Sequence, residues 1–91
     1  MIFPRAYDAT TSRADFVRLL PVATGQTDYR QSGDEFIGNG WCLRFSQISP
    51  LAIGMVRLER HRIEIVFDGL DEDAQDAFMR RFSLYYQRGG G

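Results

Sequence analysis

The sequence predicts an α+β domain, a two-layer sandwich whose four-stranded antiparallel sheet carries an N-terminal and a C-terminal helix on one face (α-β-β-β-β-α). Three observations predict it. An apolar segment opens behind a hydroxyl cap at Ser12, two-residue alternation runs either side of Asn39-Gly40 and from Ala52 to Phe67, and a segment from about Asp71 repeats apolar residues at helical spacing. Ninety-one residues, 44% of them apolar, form a single domain, 1–91, with enough apolar surface to fold by itself.

In order along the chain, Ser12 followed three residues later by Asp15 has the spacing of a capping box, and Phe16, Val17, Leu19 and Leu20 supply the apolar side of the first helix. Pro21 is expected to end or bend it. Residues 24–33 are polar, contain two glycines and show no periodicity, which reads as a flexible surface loop. Asn39-Gly40 is a type I′ hairpin signal, both residues tolerating positive φ. Counting outward sets Ile37 against Cys42, Phe36 against Leu43 and Glu35 against Arg44, with Phe36, Trp41, Leu43 and Phe45 on one face. After a connection over 46–50, a second hairpin is expected to turn at Arg60-His61. Pairing Leu58 with Ile63 would set Glu59 against Arg62 and Arg57 against Glu64.

The second helix is expected from about Asp71 to Arg88, with Leu70, Ala74, Ala77, Phe78, Arg81, Phe82 and Tyr85 recurring at the spacing of one amphipathic face and Met79 and Tyr86 off that stripe. Its acids come first and Arg80, Arg81 and Arg88 later, as the helix dipole favours, and Gly89 supplies a stop before a flexible tail, 89–91.

The net charge is −1, which gives no reason to expect a strongly anionic partner such as bulk nucleic acid. All 11 basic residues are Arg, which reads as the composition of a GC-rich genome, expected to be bacterial. Met1–Thr11 lacks a basic start and an apolar run, and no stretch reaches the roughly 18 to 20 apolar residues of a membrane span. The expected location is the cytoplasm, with no membrane partner.

No motif for catalysis, cofactor or metal stands out, and the chain is read as a non-enzymatic protein without a cofactor. Cys42 and His61, each the single residue of its type, could form a nucleophile and base only if the fold brought them together, and the expected register keeps them apart. The acids from Asp68 to Asp76 lack calcium-loop spacing and are explained by capping. Gly38-Asn39-Gly40 lies between strands, away from any helix N-terminus that could hold phosphate.

Two surfaces remain. With both helices on one side of the sheet, Ile37, Cys42, Ile53, Met55 and Val66 fall on the other, among charged neighbours, a mixture suited to a protein partner, a second copy of the chain included. Alternatively, Arg57, Arg60, His61 and Arg62 gather positive charge at one hairpin end, where a β-ribbon could track nucleic acid, although Glu59 and Glu64 offset that charge.

Overall fold

A computed structural model describes residues 5–86. Strand β1 (Ala6–Ala9) leads into helix α1 (Arg13–Thr24). Four strands follow, β2 (Arg30–Ser32), β3 (Glu35–Ile37), β4 (Trp41–Ile53) and β5 (Val56–Phe67), and helix α2 (Glu72–Tyr86) is the last element of the described residues. The sheet is antiparallel and has five strands in the order β1-β5-β4-β3-β2, not four. The α+β class holds; β1 and β2 are added, and the two arms expected on either side of Arg60-His61 are one strand, β5. The chain starts at one sheet edge, crosses the helical layer as α1, enters the opposite edge as β2, and walks back strand by strand to β1.

Local chemistry explains most boundaries. Ser12 caps α1, its hydroxyl accepting from the Asp15 amide at 3.2 Å. Pro21 does not end the helix. It sits in the last turn, where its missing N–H removes a single intrahelical bond, while Phe16, Leu20 and Ala23 are fully buried and hold the helix to the sheet. The stop comes at Gly25, in the left-handed region at φ 73°, whose amide donates to the Pro21 carbonyl at 2.8 Å. Asp71 caps α2 through the Ala74 amide at 2.8 Å. The expected helix end at Arg88, the stop at Gly89 and the tail 89–91 lie outside the described residues.

The first hairpin has the predicted register: Glu35 opposite Arg44, Phe36 opposite Leu43, Ile37 opposite Cys42. Its turn differs in type, because Asn39 keeps a negative φ and only Gly40, at 89°, is left-handed, so the type I′ expectation fails. The segment read as an irregular loop, 24–33, contains β2. Gly33-Asp34 then turns β2 into β3 with Gly at the first central position, as a type II′ turn requires.

The second hairpin is where the structure departs most. The chain turns at Gly54-Met55, and no turn occurs at Arg60-His61. Leu58 faces Leu51, and Ile63 faces Phe45. The apolar residues at 56 and 58 and those at 63 and 65 are out of phase, which resembles the two arms of a hairpin. In fact β5 is continuous, and its apolar face changes sides where it leaves the body of the domain.

The core lies between the sheet and both helices. Phe16 stacks on Phe45 with centroids 4.1 Å apart and meets Phe36 edge-on. Phe78 packs on Trp41 and Phe67. Met79 and Tyr86, expected off the apolar stripe, face inward: Met79 is buried, and Tyr86 stacks on Phe16 and donates to its carbonyl at 2.7 Å. The Cα radius of gyration is 13.4 Å, against about 12 Å for a compact chain of this length. The far end of the β4–β5 ribbon projects beyond the other strands.

Candidate interaction surface

Strand alternation divides the sheet into a helix-covered face and an open one. Trp41, Leu43, Phe45, Ile63 and Ile65 point into the core, so their neighbours in sequence point out. Read across the strands, the open face is a series of rows. Ile37, Cys42 and Val66 form the first, then Glu35, Arg44 and Glu64, then Ser46, Arg62 and Asp8. The second is joined by an Arg44–Glu35 contact at 3.8 Å and the third by an Arg62–Asp8 contact at 3.2 Å.

Beyond the third row the supporting strands stop. β3 pairs with β4 only over 42–44, and β1 pairs with β5 only over 61–64. The remainder, about residues 47–60, is a two-stranded arm. A bulge interrupts it between Ile48 and Leu51, where the Arg60 guanidinium donates to the Ser49 carbonyl at 2.9 Å. Past the bulge, Leu51 faces Leu58 and Ile53 faces Val56. Ile53 is 60% exposed, Val56 55%, Leu58 39%, and Met55 at the tip is wholly exposed.

The five residues assigned by sequence to one surface therefore form two groups. Ile37, Cys42 and Val66 stand together on the body. Ile53 and Met55 belong to the end of the arm, on the order of 35 Å away along β4 at about 3.4 Å per residue. Leu51, Val56 and Leu58, which complete the arm's apolar side, escape sequence reading because the expected turn at Arg60-His61 splits what is one continuous β5. The signal that finds them is Gly54 between Ile53 and Met55-Val56, a glycine at the first loop position between two apolar runs.

The basic group does not assemble. His61 is 2% exposed and points into the core, its Nδ1–H donating to the Thr11 carbonyl at 2.8 Å. Arg62 is paired with Asp8, Arg60 is tied to the bulge, and Arg57 lies out on the arm. The expectation of His61 as a turn residue is thus overturned, its position in β5 making it the inward partner of Gln47.

Cys42 and His61 point to opposite faces of the sheet. Burial pushes the Cys42 thiol up from its ordinary value, and the Glu35 carboxylate, 3.9 Å from its sulfur, adds to the shift. That environment disfavours the thiolate. Among the described residues no three His, Cys, Asp or Glu side chains converge as metal ligands, and no helix is long and apolar enough to cross a membrane. A cleft of about 520 Å³ lies between the α1 C-terminus and α2, lined by Gln26, Asn39, Leu70, Phe78 and Arg81. Arg81 is already engaged, donating to the Val22 carbonyl at 2.7 Å. Comparison with protein-family models finds no match, and comparison with curated proteins finds no significant relative.

Proposed function

We propose that the protein is a non-enzymatic interaction module that binds a protein partner through the end of the β4–β5 arm. The supporting observation is the arm itself: a two-stranded ribbon with Leu51, Ile53, Val56 and Leu58 on one side, Met55 at its tip and no other part of the described chain laid against it. An isolated two-stranded hairpin is marginal in water, and exposed apolar rows of this kind are usually covered by a partner. The charged rows between arm and body make the open face unsuited to a single continuous contact and favour the arm as the site.

Met55→Asp tests this. The residue is fully exposed, so circular dichroism and the thermal midpoint are expected to stay at wild-type values, while association measured by sedimentation and by capture from extracts of the producing cells is lost. Val66→Asp, on the body, is the control and is expected to leave association intact. Loss with Val66→Asp and not with Met55→Asp would move the site to the Ile37, Cys42 and Val66 row. Loss with neither would remove the open face as an interaction surface.

A further inference from the structure

The arm has two outer edges, and they are not alike. On the β4 side the edge carries a bulge and Pro50, which has no N–H to donate, two devices that prevent strand addition. On the β5 side the edge from Val56 to Arg60 is regular, free of proline and glycine, and unopposed among the described residues, because β1 stops at the Ala9–His61 pair.

Backbone directions on that edge follow from one bond. The Ile65 amide donates toward β1, to the Arg5 carbonyl, so by the two-residue repeat the amides and carbonyls of Arg57 and Glu59 also point outward. Those of Val56, Leu58 and Arg60 point toward β4.

We propose that the partner is a second copy of this chain, added antiparallel along the β5 edge with the two-fold axis at Leu58. This rests on the arm being the interaction site. In that register Leu58 of one copy lies opposite Leu58 of the other as a non-hydrogen-bonded pair, about 4.5 Å between Cα atoms. Arg57 of each copy faces Glu59 of its mate, and the four outward amides and carbonyls at 57 and 59 pair in both directions. Val56 meets Arg60 at each end, so the register uses the whole free edge and sets the exposed Met55 of each copy against the Ala9 end of its mate's β1, where Asp at 55 would be stranded. Neighbouring registers fail on chemistry. An axis at Arg57 sets Arg against Arg, an axis at Glu59 sets Glu against Glu, and an axis between residues pairs an outward group with an inward one. An edge that is charge-complementary to itself about its own midpoint is what a two-fold contact requires. The contact is small, which places it among weak, concentration-dependent dimers.

The test is a charge swap read by sedimentation, with circular dichroism to confirm folding. Wild type is expected to show a reversible monomer–dimer equilibrium. Arg57→Glu and Glu59→Arg, each setting like charges opposite, are each expected to weaken it at least tenfold. The double variant Arg57→Glu/Glu59→Arg and an equimolar mixture of the two single variants both restore complementarity, and both are expected to return to within about threefold of wild type. In a Cys42→Ser background, Leu58→Cys is expected to form a disulfide-linked dimer on mild oxidation and Val56→Cys is not. A folded wild type that stays monomeric at millimolar concentration, or single variants that dimerise like wild type, would overturn the proposal. If Met55→Asp still abolished capture of some other protein, the arm would remain the site and only the second copy would be wrong.

Discussion

The ring of His61 lies flat against the ring of Phe45, their centroids 4.1 Å apart and their planes 17° from parallel. Phe16 stacks on Phe45 at the same spacing, so that a helix, a central strand and the imidazole form one pile. The imidazole also ties β5 to the entrance of α1 through the Thr11 carbonyl.

Replacing His61 by Ala removes both contacts at a site that is 2% exposed. The expected loss is about 3 to 5 kcal/mol, a cavity cost of aromatic size together with a carbonyl deprived of its donor. Denaturant unfolding measures it. A loss below about 1 kcal/mol would mean that the imidazole is not the joint between β5 and α1.

Gly38→Ala is expected to destabilise by about 1 to 3 kcal/mol, because a methyl group there would overlap the Trp41 indole. The indole cannot easily yield: its Nε1 donates to Gln26 at 3.1 Å, and Phe78 packs against it. Tryptophan fluorescence should shift in the same variant, reporting a displaced ring.

Cys42 is expected to react with iodoacetamide several-fold more slowly than an unhindered cysteine at pH 8, since burial and the Glu35 carboxylate both hold the thiol protonated. Glu35→Gln removes the carboxylate contribution and should speed the reaction. An unchanged rate would assign the whole effect to burial.

Alkaline pH should destabilise the fold partly through Tyr86. Burial pushes its phenol well above the ordinary value of 10.0, so above about pH 10 the unfolded chain loses this proton and the folded chain keeps it. The unfolded state is then favoured as pH rises, whereas below that range the group contributes no pH dependence. Tyr86→Phe is expected to lower stability at pH 7 by about 1 kcal/mol, through the lost bond to the Phe16 carbonyl, and to flatten the decline in thermal midpoint between pH 9 and 11.

Pro50→Val restores a donor to the outer edge of β4. Species larger than a dimer are expected in sedimentation at high concentration, because a second edge becomes available for strand addition. No such species would mean that the bulge alone is sufficient protection.

What the sequence reveals of this molecule follows physical locality. The Ser12 cap, the Phe36–Leu43 register and the Phe78/Phe82 face of α2 are set by residues within a few positions of one another, and all three are legible. β1 and β2 are not: four and three residues, with largely polar or small side chains, become strands only because the edges of β5 and β3 are there to receive them. The turn at Gly54-Met55 is hidden for a different reason. Charge complementarity among Arg57, Glu59, Arg62 and Glu64 is satisfied by a false register as well as by pairs the fold actually uses, such as Arg62 with Asp8, so charge alone could not choose between them. The candidate site is half legible, since the sequence marks Ile53 and Met55 as exposed but not that they stand apart from Ile37, Cys42 and Val66.

β1 also sets the order of events during folding. The other strand pairs close loops of at most 26 residues, whereas β1 meets β5 across separations of 52 to 58 residues, from Ala9–His61 to Ala6–Glu64. Closing that loop has the highest entropic cost in the sheet, which makes β1 the last strand to dock and, on warming, an early one to peel away. Each excursion lengthens the bare flank of β5 from five residues to nine or more. The window in which β1 is loose while the remaining sheet persists is therefore the most hazardous for this chain, and sub-denaturing heat should aggregate it more readily than complete unfolding.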